Sequence, residues 1–597
     1  MTLTAAALCV AMVLCWSLLT PGGISVDQWQ GWVLAAAPLA IASMSQTLPI
    51  IAGGQGLSAG ATMVLVASVV AGMPMATTGA ALMAIALGLA VGVAVGCING
   101  FLIGFLGLRS TPVTLATGGA AMAFALDLIG GYVGAADSLS ALVYGWTLGG
   151  VPLLPLLLLA LVCIAGMTFQ RTRLGLALRA QGSDIAGARG GGTPVFIAYT
   201  AAGAGAALGG ILLAAAYGLD NLSYGAPLLP QILAAIALGG GVSGLGGGSV
   251  LGSLLGALVV VTSSNLLMPL GISEGLLTAV DAGWLLLGLL LCVARRPTLP
   301  PAIVTRSAHQ PLRWTIVVGC AFILLLAANL RPEAADLAAM AAGVGVLAVG
   351  QMAILRNGTV DLSMPALISM AAVTTVTLTQ GVHDVLPKTL LLILAVALAV
   401  GLFHGWIATR IGRAVMIATL ATAGILQAVS VEMLLTQPTG FTPRALTTVN
   451  EARWLGMSPF AWGLAVIGLV MVLVLDWPSS RRRLLVTYVA SALASALFGI
   501  FVAAYGGSAG FSPIDTYLLP AVAAGWIAHT LSSGRGSVAL AIPAAIALFA
   551  VDTVLLGSGA GYSMRIGALA VALVLAEWLG VRRVVRRAEA PVERTIA

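Results

Sequence analysis

The sequence predicts an all-α polytopic membrane protein with about twenty transmembrane helices. Three observations predict it: composition, the length of the apolar runs, and a long internal repeat. Of 597 residues, 60% are hydrophobic and only 8% charged, and mean hydropathy is +1.08. A water-soluble chain of this length needs far more polar surface than that. The apolar runs last about 17–25 residues, enough at 1.5 Å per residue to cross a hydrocarbon core of about 30 Å. They recur from end to end and then repeat in the same order.

Ten runs are expected in the first half, near residues 3–19, 31–52, 57–73, 79–104, 111–131, 151–169, 194–217, 227–240, 249–267 and 275–294. Ten more are expected near 314–330, 336–355, 362–380, 387–409, 414–436, 460–475, 484–504, 517–530, 537–556 and 564–580. The first run lacks a positive leader and a small-residue cleavage site, so it reads as a retained helix. The six cysteines, Cys9, Cys15, Cys97, Cys163, Cys292 and Cys320, sit inside apolar runs at no metal-ligand spacing. They read as small buried hydrophobes, and no metal is expected.

The net charge of +7 is spread over loops and forms no single patch, so nucleic acid is not an expected partner. It reports topology instead. With both termini in the cytoplasm, about 21 of the 26 Lys and Arg fall inside, as the positive-inside rule requires. The inner set includes Arg171, Arg173, Arg179, Arg189, Arg295, Arg296, Arg306, Arg313 and Arg481 to Arg483. Asp27, Asp137, Asp220, Glu274, Glu333, Asp336, Asp384, Glu451 and Asp515 fall outside, near span ends.

"NGFLIGFLGLRSTPVTLATGG" (99–119) aligns without a gap on "HGWIATRIGRAVMIATLATAG" (404–424), an offset of 305. The same offset places "GGQGLSAGA" (53–61) on "GTVDLSMPA" (358–366). Later anchors, "AAYG" at 215 and 503 and "LLP" at 228 and 518, show an offset near 288–290. About 17 residues are therefore missing from the second copy, between "LVLDWPSSRRR" and "LLVTYVASA". An even number of spans per copy makes the repeats parallel. The expected organisation is a first repeat at 1–297, a Pro- and Arg-rich cytoplasmic linker at 298–313, and a second repeat at 314–597.

In order, the first half carries "GGQGLSAG", "TLATGG", "LGLALRAQGSDIAGARGGG" and "LGGGVSGLGGGSVLGSLLGAL"; the second carries "GTVDLSMP", "TLATAG" and a faint "SSGRGSVALAIPAAI". This series resembles the permease subunits of bacterial ABC importers of the ribose and simple-sugar branch, over nearly the whole chain. The resemblance implies a fused pseudo-dimer in the bacterial inner membrane, each half similar to the ten-helix fold of the cobalamin importers. It also implies a cytoplasmic ABC ATPase, an extracytoplasmic substrate-binding protein, and a small polar solute of ribose, hexose, signalling-furanose or nucleoside type. No ATPase signature occurs in the sequence, so no cofactor is expected here and ATP is used by a partner. The glycine block at 238–249 lacks the Lys-Ser/Thr of a phosphate loop and reads as close helix packing.

The stretch 173–192 is either a solvated loop whose arginines fix topology or, as the resemblance implies, a coupling element for the ATPase. As a helix it would place Leu174, Ala177 and Leu178 on one face, with Arg173 and Gln181 beside it, and Arg179 is a further coupling candidate. Gly182 is expected to break it, and Ser183 to cap a second short helix with Asp184 in its first turn and Arg189 beyond. The second repeat lacks this stretch, so its ATPase is expected to be fused or asymmetric. Candidate residues of the solute path or gate are Gln55, Ser58, Thr114 and Thr117 in the first repeat and Asp361, Ser363, Thr419 and Thr422 in the second. Asp361 either serves that path or caps a helix beginning at Leu362; Gly56 stands at its matching position. His404 and His529 read as packed or interfacial residues; Asp127, Asp281 and Asp552 are left as pore or interface candidates. Two other functions fit the composition: an ion-coupled secondary transporter working through Asp361, and a non-transporting regulatory membrane protein.

Overall fold

A computed structural model describes residues 2–19, 24–74, 77–129, 137–183, 192–217, 225–242, 247–294, 332–436, 440–476, 481–507, 517–532 and 537–589. Contacts divide the chain into two compact units: 1–297 with 561–570, and 298–560 with 571–597.

The first unit contains α1 (Thr2–Leu19), α2 (Val26–Ile51), α3 (Ala59–Ala71), α4 (Thr78–Gly100), α5 (Ser110–Ile129) and the short α6 (Asp137–Tyr144). A two-residue antiparallel hairpin at 147–152 leads into α7 (Leu153–Arg171). Then follow α8 (Arg173–Ser183), α9 (Gly192–Tyr217), α10 (Gly225–Leu238), α11 (Val250–Leu267) and α12 (Glu274–Ala294). Beyond Ala294 come α13 (Pro332–Leu355), α14 (Met364–Thr379), α15 (Leu386–Ile411), α16 (Val415–Thr436) and the short α17 (Arg444–Glu451). The last helices are α18 (Pro459–Leu475), α19 (Arg481–Gly506), α20 (Leu518–Leu531), α21 (Ala541–Gly557) and α22 (Tyr562–Glu589).

The apolar runs expected from sequence fall on these helices, except 314–330, which lies outside the described residues. Against the expected twenty or so spans, the described residues divide into full-length and shorter apolar helices. Twelve helices are long and apolar enough to cross a bilayer, and six apolar ones are shorter. α3 has 13 residues and α14 has 16. At 1.5 Å per residue they reach about 20 and 24 Å, short of a hydrocarbon core of about 30 Å. The cause is local. Glycines at positive φ, Gly53 (81°) and Gly358 (77°), take the backbone out of α2 and α13, and the helix resumes only six residues later. Irregular backbone at such depth is tolerated only where protein, not lipid, surrounds it.

Each unit is built from corresponding packed pairs. In the first, α9 lies against α2, α3 and α4, α3 against α5, and α2 against α7, α10 and α11. In the second, α19 lies against α13, α14 and α15, α14 against α16, and α13 against α18, α20 and α21. Small residues permit the closest of these crossings. A Cβ at Gly96 of α4 would stand 2.6 Å from the Tyr199 carbonyl oxygen of α9, and one at Gly401 of α15 would stand 2.6 Å from Val489 Cα of α19. Between helices in lipid, such backbone proximity replaces the hydrophobic drive that water would supply. α2 and α13 are enclosed over most of their length, whereas α7 exposes Leu157, Leu161 and Ile164, as a hydrocarbon surrounding allows. The glycine block behaves as packing: a Cβ at Gly239 would collide with Gly252 of α11, and Ser249 caps α11 by accepting from Gly252 N at 2.9 Å.

Candidate functional site

In the first unit the turn after α2 is held by α4 and α5. Gln55 N donates to Ser110 Oγ (3.0 Å), Thr111 Oγ1 to Gln55 Oε1 (2.5 Å), and Leu57 N to Thr114 Oγ1 (3.2 Å). Asn99 of α4 joins the next layer: its Nδ2 donates to Ser58 Oγ (3.0 Å) and its Oδ1 accepts from Thr117 Oγ1 (2.8 Å). The four candidates Gln55, Ser58, Thr114 and Thr117 therefore belong to one hydrogen-bonded cluster.

The second unit builds the matching cluster with a carboxylate. Leu362 N donates to Thr419 Oγ1 (3.1 Å), and His404 Nε2 pairs with Thr422 Oγ1 (2.9 Å). Asp361 is buried, and its Oδ1 accepts from Ser363 N (2.9 Å) and Ser363 Oγ (2.6 Å). Its backbone is clasped by Gln351 of α13: Nε2 donates to Asp361 O (2.9 Å), and Asp361 N donates to Oε1 (3.3 Å). Thr359 Oγ1 lies 3.0 Å from Tyr488 Oη of α19. Asp361 thus shapes the turn into α14, whose N-cap is Ser363, so the helix begins at Met364 and not at Leu362. The carboxylate organises the backbone ahead of the cap.

Sequence reasoning missed Gln46 and Gln351, Tyr199 and Tyr488, and the role of Asn99. The repeat register contains the signal for most of them: Gln46 with Gln351, and Asn99 with His404, lie at the same offset of 305 as the motifs. Gly56 makes the two clusters differ. A Cβ there would collide with the Gln46 amide, so Gln46 enters space that Asp361 takes in the other unit.

The second site is α8. It starts one residue after α7, where Thr172 Oγ1 accepts from Gly175 N at 3.2 Å and caps it. Two expectations are corrected here. Gly182 does not end the helix, which runs on to Ser183; it has no Cβ because the Ile51 carbonyl at the end of α2 lies against it. The buried face is Gly175, Leu178 and Gly182; Leu174, one turn before Leu178, lies at its edge and is 37% exposed, and Ala177 is half-buried, while Leu176 and Arg179 face away. Spacing of 3 and 4 from Gly175 explains the shift: glycines that carry no apolar signal pack closest. Arg173 and Arg179 are exposed, and Arg179 Nη2 donates to Gln170 Oε1 at 3.2 Å. Asp184, Arg189 and the side chain of Ser183 lie outside the described residues.

In the second unit α18 and α19 are separated only by 476–480. At that end Arg356 Nη2 meets Asp476 Oδ1 at 3.0 Å, and Asp476 also accepts from Val538 N (2.8 Å) and Ser537 Oγ. Burial pushes the Arg356 guanidinium pKa down, and the Asp476 charge opposes that shift. Asp281 is buried and accepts from Gln231 Nε2 at 2.7 Å, a contact between α12 and α10 within the first unit. Among the described residues, no group of three or more His, Cys, Asp and Glu is placed to hold a metal ion.

Residues 29–294 match the sequence model of the family described as branched-chain amino acid transport system / permease component. The chain is 33% identical over 129 residues to the probable ABC transporter permease protein YphD of Escherichia coli (strain K12), covering 21% of this chain and 39% of that one. It is 32% identical over 281 residues to the probable ABC transporter permease protein y4mJ of Sinorhizobium fredii (strain NBRC 101917 / NGR234), covering 44% of this chain and 81% of that one.

Proposed function

The chain belongs to the ABC transporter permease family, and we propose that it is the transmembrane subunit of an ATP-driven importer for a monosaccharide or a similarly small polar solute. Its two units act as fused permease halves in a bacterial inner membrane with both termini in the cytoplasm. A cytoplasmic ABC ATPase and an extracytoplasmic substrate-binding protein are its partners, and ATP is hydrolysed on the partner.

The observation that carries this reading is α8. Between two long apolar helices, an 11-residue helix is docked by Leu178 between two glycines and turns Leu176, Arg173 and Arg179 outward. A helix of that length is marginal alone, so its form depends on docking, and a docked helix transmits force. In the second unit the corresponding connection, 476–480, is too short for such a lever, so the ATPase contact is one-sided. The matched family's description names branched-chain amino acids; the order of the glycine and threonine motifs supports the sugar branch instead.

The test is crosslinking in a cysteine-free background. Cysteine at Leu176 should capture the co-expressed ATPase efficiently, and cysteine at Ser480 should capture it at least about tenfold less. Equal capture from both positions would overturn the one-sided arrangement, and capture from neither would overturn the importer reading.

Asp361, Ser363, Thr419 and Thr422, with Gln55, Ser58, Thr114 and Thr117, are proposed to border the solute path or its gate. Asp361→Asn keeps the shape and one acceptor oxygen for Ser363 but removes the charge. Uptake into vesicles should fall severalfold at unchanged expression and monodispersity, since a hydrogen bond to a charged acceptor is worth about 1 kcal/mol more than one to a neutral amide oxygen. Unchanged uptake would remove Asp361 from the path. Gly56→Asp should not restore uptake to that variant, because Gln46 stands in the way.

A further inference from the structure

Each unit carries an exposed apolar turn that the importer reading does not use. In the first unit α6 is pinned by the buried Leu139 and Val143 and by Tyr144, whose Oη donates to Leu212 O of α9 at 2.9 Å. The hairpin that follows turns at Gly149 (φ 59°) and Gly150 (87°) and rests on α2, where a Cβ at Gly150 would stand 2.3 Å from Val26 Cγ1. Trp146 and Leu148 stay outside, Leu148 72% exposed. The second unit repeats the arrangement. α17 is pinned by the buried Leu446, and Trp454 and Met457 exchange backbone hydrogen bonds of 2.8 and 3.1 Å around a turn at Leu455 (φ 50°) and Gly456 (84°). Trp454 is exposed, and Leu455 is 74% exposed. A left-handed backbone is sterically costly for leucine, and glycine would form the same turn without strain. In water the Leu455 side chain would gain nothing to offset that cost, whereas in hydrocarbon its burial does.

Both turns lead straight into helices that face lipid. α7 begins at Leu153, directly after the hairpin, and α18 at Pro459, two residues after Met457. α7 exposes Leu157, Leu161 and Ile164, and α18 exposes Val466, Val470 and Val474, each a stripe at helical spacing. The 19 residues of α7 and the 17 of α18 reach about 28 and 26 Å, close to a hydrocarbon core of about 30 Å. With Arg171 at one boundary of the bilayer, Trp146 and Leu148 stand at the other.

We propose that the Trp146–Leu148 and Trp454–Leu455 turns are lipid anchors, inserted between phospholipid headgroups with their leucines against the acyl chains, so that they hold α6 and α17 at the membrane boundary. This rests on the membrane-spanning fold and not on the importer reading. The chemistry of the surface favours lipid over a protein partner. Residues 138–152 contain no Asp, Glu, Lys or Arg, so the first turn offers no charge by which a docking protein could be steered. Tryptophan matches the boundary itself, its ring apolar and its N–H able to reach a lipid ester or phosphate oxygen. In the second unit the exposed Arg453, next to Trp454, adds a cation at the level of the phosphates.

The test is spin-label accessibility in the full chain, cysteine-free except at one position, in nanodiscs of phosphatidylethanolamine and phosphatidylglycerol. Labels at Leu148→Cys and Leu455→Cys are compared with Leu161→Cys on the exposed stripe of α7 and Arg173→Cys on α8. Molecular oxygen concentrates among acyl chains and a nickel chelate in water, so the ratio of their relaxation effects measures depth. At both turns the ratio should lie severalfold above that of Arg173→Cys and below that of Leu161→Cys. A ratio equal to either reference would overturn the boundary placement of that turn; if one labelled variant fails to fold, the other decides. A water-like label that loses nickel access only when the co-expressed substrate-binding protein is added would overturn the lipid anchor and assign the turn to that partner.

Discussion

Replacing residues 173–189 by a short glycine–serine linker should abolish solute-stimulated ATP hydrolysis by the reconstituted complex while leaving the membrane domain folded. α8 contributes little to the interior: it packs on the ends of α2, α7 and α9, and Leu178 is the large side chain that it buries. Removing it costs the first unit one buried leucine, about 2–3 kcal/mol. Its proposed work, transmitting ATPase movement to the end of α2, has no substitute, because α18 and α19 are joined by 476–480 alone. A milder variant separates docking from presence. At Gly182 any Cβ meets the Ile51 carbonyl, so Gly182→Val keeps the exposed arginines but lifts the helix from α2, an overpacking cost of about 1–3 kcal/mol. ATPase binding should survive in Gly182→Val and stimulation should drop severalfold. Full stimulation in the deletion would mean that α8 is not the lever.

Much of the fold was legible because apolar run length is a direct physical requirement of a bilayer, and polar turns cannot interrupt it cheaply. What could not be read from run length was where a run stops being a helix. The breaks at 53–56 and 356–361 were visible as polar and glycine-rich interruptions, but not that Gly53 and Gly358 would adopt positive φ and that α3 and α14 would end up shorter than a full span. Gly182 misled in the opposite direction: a glycine within a polar stretch reads as a helix stop, whereas here it is a point of backbone contact. Within the clusters, the threonines were visible from the repeated "TLAT" block. Gln46 and Gln351 were not, since neither lies within the repeated motif blocks that pointed to the threonines. Tyr199 and Tyr488 lie 289 apart, beyond the shift in register, so the 305 alignment does not pair them.

Arg356→Leu should be the most destabilising single substitution in the second unit, and more destabilising than Arg356→Leu combined with Asp476→Leu. Asp476 is 1% exposed and Arg356 11%, so the pair is effectively out of water. Removing one partner of such a pair strands a buried charge and costs about 3–5 kcal/mol, whereas replacing both by apolar groups is often close to neutral. Here the double variant still loses something, because Val538 N and Ser537 Oγ donate to the same carboxylate and would be left unmet, at about 1–3 kcal/mol. The expected order of melting temperature in detergent is therefore wild type, double variant, Arg356→Leu. Register assigns a reason for the pair. Its counterparts at an offset of 305 are Ile51, whose carbonyl receives α8 at Gly182, and Arg171, which ends α7 just before α8. Where the first unit covers this end with a helix, the second ties α13, α18 and the start of α21 together with one ion pair. If the pair is a tie and not a second lever, Arg356→Leu should lower the melting temperature but leave the ATPase activity of the surviving folded complex close to wild type. Loss of coupling at unchanged stability would reverse that assignment and give the second unit a part in transmission.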